Sequence, residues 1–143
     1  MERRRPRNLP ARPLVLVVDG HVDTLALYSI ALSAMGFDVV AASDGTEAFG
    51  RAWQVHPDII VTELELRQND GWALLASLKR DSRTRDIPVV VVTSNSQPAT
   101  RERARRDGCA AFFVKPCLPA RLAQELRSVL VANVSHAHAS APN

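Results

Sequence analysis

Apolar positions along this chain gather into five short runs, and a stretch with helical spacing follows each one. The runs are residues 14–18, 37–41, 59–61, 89–92 and 110–114. They are nearly continuous, which predicts strands buried on both faces. The first helical stretch begins at Asp23 and places Leu25, Tyr28, Leu32 and Met35 on one face, with Gly36 as its stop. The second spans 46–56 after an Asp44-Gly45 turn and buries Ala48, Phe49 and Ala52. The third spans 72–80, directs Leu74, Leu75 and Leu78 inward, and follows a polar loop that closes at Asp70-Gly71. Ser96 as N-cap and Pro98 in the first turn open a fourth helix that Gly108 ends. Its buried stripe is thin, little more than Ala99 and Ala104. Pro119 opens the last helix, with Leu122, Leu126, Val129 and Leu130 repeating at helical intervals.

Strict alternation of strand and helix predicts a parallel sheet with helices on both faces. Right-handed crossovers leave few strand orders, and 2-1-3-4-5 is the expected one for five strands. The expected fold class is therefore α/β, doubly wound. Residues 14–131 form the domain. Residues 1–13 read as a disordered basic arm and 132–143 as a disordered tail, in which His136 and His138 are solvated.

Charge changes the picture less than the net value suggests. Residues 1–12 hold five arginines and one acid, so this short arm carries +4 of a total of +3 and the remainder is −1. The basicity belongs to the arm, and a nucleic-acid contact would have to rest on it, since no helix-turn-helix is expected after the last helix. No apolar run approaches the roughly 20 residues of a membrane span. The basic start is followed by no signal-peptide apolar region, so a cytoplasmic location is expected. Cys109 and Cys117 lack metal-ligand spacing and read as reduced thiols. There is no nucleophile elbow, dinucleotide fingerprint or P-loop, which argues against the commoner enzyme classes.

The chemistry-bearing residues stand at strand ends. The first, third, fourth and fifth strands deliver Asp19, Glu63, Thr93 and Lys115 to one edge. Ligands in parallel α/β sheets bind beyond the carboxyl ends of the strands. Any one of the four has a bland reading as a cap, a turn or a solvated side chain. Together they predict a shared anionic site.

At this point the chain resembles the receiver domain of bacterial two-component response regulators, across about residues 14–131. The resemblance rests on Val17-Val18-Asp19, Asp44-Gly45 with Glu47-Ala48, and Pro57-Asp58-Ile59-Ile60. It rests also on Asp70-Gly71, Ile87-Pro88-Val89, Thr93-Ser94, Gly108-Cys109-Ala110 and Val114-Lys115-Pro116, in that order and spacing. It implies a flavodoxin-like fold and phosphoryl transfer from a histidine kinase onto an aspartate. It also implies a bound Mg²⁺, a cis peptide at Lys115-Pro116, and an output or homodimer face made by helix 4, strand 5 and helix 5. Arg101 and Arg105 mark that face.

Five positions depart from the family pattern. The phospho-acceptor position is Glu63, and the second acid expected after the first strand is Gly20. The Met-Pro pair expected after the acceptor is Leu66-Arg67, and the aromatic switch position is Phe112, without a hydroxyl. By resemblance the direct Mg²⁺ ligands would be residue 20, residue 63 and the Glu65 carbonyl, with Asp19 acting through water. Gly20 removes one carboxylate, so Mg²⁺ binding is expected to be weak and no cofactor is required. Glu63 is one methylene longer than Asp, which moves its carboxylate outward by about 1 Å, and such misplacement can cost about 10²-fold in a positioned reaction.

The expected function is that of an atypical receiver, a protein-interaction module whose output does not need phosphorylation. Its partner would be a histidine kinase or a separate output protein. Two alternatives stand beside it, a working receiver that tolerates Glu63 and a nucleic-acid contact through the arm. Glu63 itself has two readings. Either it holds the site in an occupied-like arrangement, using Thr93 and Lys115, or it merely pairs with Lys115 in a decayed site.

Overall fold

The computed structural model describes residues 9–67 and 70–140. Five parallel strands, β1 (Leu14–Val18), β2 (Asp38–Ala42), β3 (Ile59–Thr62), β4 (Val89–Thr93) and β5 (Ala111–Val114), form one sheet in the order β2-β1-β3-β4-β5. The helices are α1 (Val22–Ala34), α2 (Gly45–Val55), α3 (Asp70–Arg80), α4 (Pro98–Arg106) and α5 (Pro119–Ser140). This is the doubly wound architecture that the alternating pattern predicts.

Period-two alternation within each strand divides the core into layers. Val15, Val17, Ile59, Val61, Val90 and Val92 pack on one face against Tyr28 and Leu32 of α1 and Leu122 and Leu126 of α5. Leu16, Val18, Ile60 and Val89 pack on the other face against Ala48 and Ala52 of α2 and Leu74, Leu75 and Leu78 of α3. A smaller cluster of Leu64, Val91, Ala104 and Phe112 lies under α4. Register is in step at the functional edge, where Val18 pairs with both Ala42 and Thr62.

Local chemistry sets the helix ends. Asp44 caps α2, accepting from the Glu47 amide at 2.8 Å, while the Glu47 carboxylate accepts from the Ser43 amide at 2.9 Å. Gly36 follows the C-cap of α1 with φ +100°, and Gly108 follows that of α4 with φ +107°.

Several expectations are corrected. The N-cap of α4 is Gln97, not Ser96, and its side chain makes no capping bond. The Asn95 side-chain oxygen instead accepts from the Gln97 amide at 3.0 Å, and this fixes the chain one residue later. Ala99 is exposed, which leaves Ala104 as the buried residue of α4. α5 does not stop near 131 but continues to Ser140, because nothing in 132–140 breaks a helix and its alanines favour extending one. Residues 1–8 of the arm and 141–143 of the tail lie outside the described residues. Arg12, read as part of the arm, is bound to the domain. It pairs with Asp38 at 3.0 Å and donates to the carbonyls of Ser33 at 3.1 Å and Phe37 at 2.7 Å.

Gly71, in the first turn of α3, fixes the loop that follows β3. A Cβ there would collide with the carbonyl and Cα of Leu64. Gly71→Ala is therefore expected to destabilise the fold by about 1–3 kcal/mol through overpacking. Urea unfolding checks this, and an unchanged midpoint would show that the loop yields freely.

Candidate functional site at the carboxyl edge

The strand ends converge as the sequence predicts. Asp19 directly follows β1 and is buried, and Glu63 directly follows β3 and is 5% exposed. The Glu63 amide donates to Val18 O at 3.0 Å, and the Lys115 amide to Thr93 O at 2.8 Å, so backbone bonds tie the carriers of the site together. Thr93, at the end of β4, is buried as well.

The polar groups form a closed set. Lys115 Nζ lies 2.8 Å from Asp19 Oδ2 and 3.1 Å from Glu63 Oε1. Asp19 Oδ1 accepts from the His21 amide at 2.9 Å. Glu63 Oε2 accepts from the amides of Leu64 at 2.7 Å and Glu65 at 3.0 Å. The Thr93 hydroxyl accepts from the Asn95 amide at 3.3 Å and stands beside Glu63, where it favours the charged form of the carboxylate. The outward displacement expected of the longer Glu63 side chain is not what the molecule shows. The added methylene lets the carboxylate fold back over its own loop, where two backbone amides reach it.

Electrostatics follow from this geometry. Burial pushes the Glu63 carboxyl up, but the hydrogen bonds from Thr93, the Glu65 amide and Lys115 outweigh burial and hold it below its ordinary 4.5. Burial pushes the Lys115 ammonium down, but its bonds to Asp19 and Glu63 outweigh that and lift it above 10.5. The lowered carboxyl contributes stability that is full above pH 4.5 and is lost as pH falls through its folded value. The raised ammonium contributes stability that is full below pH 10.5 and is lost as pH rises through its folded value. A melting-temperature profile should therefore be flat between these limits and fall on both sides. Glu63→Gln should differ most from the native protein at neutral pH and least in acid. An offset independent of pH would exclude the carboxylate as its source.

The other expected site residues fall around this set. Gly20 is exposed, and a Cβ on it would meet only Ser43 O at an ordinary 3.8 Å, so glycine is not required there for space. Glu65 is exposed and gives its amide to Glu63. The Lys115-Pro116 peptide is cis. Phe112 is buried away from the carboxylates, in the cluster under α4, with the Arg101 guanidinium 4.9 Å from its ring centre. Three of the α4 arginines, Arg101, Arg103 and Arg105, are engaged within the domain. Arg105 pairs with Glu102 at 2.6 Å, Arg103 pairs with Asp107 at 3.5 Å and stacks on Trp72 at 3.9 Å.

Sequence reasoning missed two features. Leu64 is a buried plug directly beside the acceptor position, and its place in an apolar-polar alternation, Leu64-Glu65-Leu66, was the available signal. The outer face of α1 is apolar too, with Val22 75% and Ile30 72% exposed and Leu27 also outside, while Leu118 is exposed just beyond Lys115. The near-absence of charge in 22–34 was the signal there.

Two buried acids bridged by a lysine, with a strand-end threonine beside them, stand at the carboxyl edge of a 2-1-3-4-5 sheet in a flavodoxin-like α/β domain. Residues 15–127 match the response regulator receiver domain family, and the chain belongs to it. It is 30% identical over 116 residues to the polar-differentiation response regulator DivK of Brucella ovis, across 81% of this chain and 94% of that one. It is 31% identical over 116 residues to the probable transcriptional regulator ycf27 of Porphyridium aerugineum, across 81% of this chain but 47% of that protein, so it spans about half of that relative's length. Among solved structures, a response regulator from Desulfuromonas acetoxidans is similar at 29% identity and TM-score 0.76, covering 83% of this chain and 97% of that one. The chemotaxis response regulator CheY4 of Vibrio cholerae shares the fold at 24% identity and TM-score 0.77, with 82% and 98% covered. The domain is thus a receiver of two-component signalling, a class that works through protein partners. No helix among the described residues is long and apolar enough to cross a membrane.

Proposed function

We propose that this receiver acts as a phosphorylation-independent interaction module in a cytoplasmic two-component pathway. One observation carries the reading: the Glu63 carboxylate already engages Lys115 and the amides of Leu64 and Glu65 together, with Thr93 beside it favouring its charged form. By resemblance, Thr93 and Lys115 are the positions that would receive a phosphoryl group. Glu63 supplies an anion to them from within the chain. A carboxylate carries −1 where a phosphoryl group carries nearly −2, so the imitation is partial.

The donor set does not suit Mg²⁺. The ion prefers near-ideal octahedral oxygen coordination, supplied by carboxylates, a carbonyl and water. Gly20 offers no carboxylate, and the carboxylate oxygens of Asp19 and Glu63 are bonded to Lys115 and to backbone amides. The Lys115 ammonium is the cation between the two acids, so no cofactor is required.

The partner is a histidine kinase or a separate output protein. Exposed Val22 and Leu118 flank the site on the α1 side and give such a partner an apolar foothold beside it. Arg101 and Arg105 on α4 mark the output face. Incubation with Mg²⁺ and a small acyl-phosphate donor tests the reading. The intact mass of the native protein should not change, and a phosphoryl group on Glu63 would overturn the proposal.

A further inference from the structure

We infer that Leu64 couples the Glu63 carboxylate to α4, so that the side chain at position 63 sets how firmly α4 and its arginines are held on the sheet. The inference builds on the proposed reading by giving Glu63 a route to a surface.

The route consists of bonded and packed groups. The Leu64 amide donates to Glu63 Oε2 at 2.7 Å. The Leu64 side chain is 2% exposed and packs with Val91, Ala104 and Phe112, and Trp72 is set against the same cluster. Ala104 is the buried residue of α4, so apolar burial holds this helix weakly. Two arginine-ring stacks supplement it, Arg101 over Phe112 at 4.9 Å and Arg103 over Trp72 at 3.9 Å. Such stacks are individually weak when exposed. Both rings belong to the cluster that Leu64 fills. Leu64 is therefore placed by the carboxylate at one end and supports both stacks at the other.

The geometry also gives a direction. Without the carboxylate, the Leu64 and Glu65 amides lose their acceptor and the start of the loop is released. Leu64 then no longer fills the space beneath Phe112 and Trp72. A helix held by one alanine and two stacks is the element of this fold with least to lose by opening locally. α1, α2 and α5 contribute several buried side chains each and should not respond.

The test is native-state hydrogen exchange of the full chain, followed by mass spectrometry. In Glu63→Ala, peptides covering α4 and β5 should exchange about tenfold faster, while α2 and α5 keep their native rates. Leu64→Ala should reproduce that pattern although Glu63 and Lys115 remain in place. Arg101→Met should loosen α4 without altering the loop at 64–67. Native exchange of α4 in a folded Glu63→Ala protein would overturn the inference. So would equal acceleration of α2, α4 and α5, which would report lost global stability. Acyl-phosphate labelling of the native protein would defeat the phosphorylation-independent reading yet leave this route standing, because the route depends only on the contacts of Leu64.

Discussion

Replacing Lys115 with Met is expected to destabilise the protein by about 3–5 kcal/mol, the range for removing one partner of a buried ion pair. The ammonium lies 2.8 Å from Asp19 and 3.1 Å from Glu63, and both carboxylates are buried. Without it, two like charges share a site of low dielectric with no cation between them. The variant can relieve this by taking up a proton, which raises a folded-state carboxyl pKa above its unfolded value. Its stability should then rise as pH falls from 8 toward 5, whereas that of the native protein is flat over this range. Urea unfolding at several pH values distinguishes the two slopes. A loss below about 1 kcal/mol, or a native-like slope, would mean that the acids remain adequately solvated without Lys115.

The second large effect is a gain of chemistry. Gly20→Asp together with Glu63→Asp should allow phosphorylation that the proposed function does not expect of the native protein. In that reaction the carboxylate oxygen of residue 63 forms a bond to phosphorus, the bond from phosphorus to the acyl oxygen breaks, and a carboxylate anion leaves. Positioning and charge neutralisation dominate such transfers, and both substitutions act on them. The first adds an acid beside Asp19, at an exposed position where a Cβ meets only Ser43 O at an ordinary 3.8 Å, so the backbone should accept it. The second shortens the side chain so that it no longer folds over the Leu64 and Glu65 amides, which frees those donors and Thr93. Each single change should fall far short, because groups acting as a unit are non-additive. Intact mass after incubation with Mg²⁺ and an acyl-phosphate donor gives the answer. A folded double variant that stays unlabelled would place the defect elsewhere in the loop, with Arg67 the first position to examine.

The parts of this molecule that the sequence made legible are those governed by periodicity and strand order. Continuous apolar runs locate the strands, and their order brings Asp19, Glu63, Thr93 and Lys115 to one edge. Choices between neighbouring residues were less legible. Ser96 and Gln97 both sit before Pro98, and only the Asn95 side chain decides between them. The direction of a flexible side chain was not legible either. A carboxylate on two methylenes can reach outward or fold back, and the amides of Leu64 and Glu65 select the second. Arg101 and Arg103 of α4 read as part of a free basic face because their ring partners, Phe112 and Trp72, lie outside the helix.

The binding of Arg12 determines where the chain can be handled. Its guanidinium grips the far end of α1 and the start of β2. Arg127 of α5 reaches the same level, donating to Met35 O at 2.7 Å. Both ends of the domain thus leave from the floor of the sheet, about 17 Å, the length of a five-residue strand, below Asp19. From Arg127, α5 runs on for roughly 20 Å more at its helical rise. A dye or resin attached at Arg12 or Arg127 would therefore sit at the opposite end of the sheet from the acidic edge, and a pull on the chain ahead of Arg12 would load the Arg12 contacts before it strained β1.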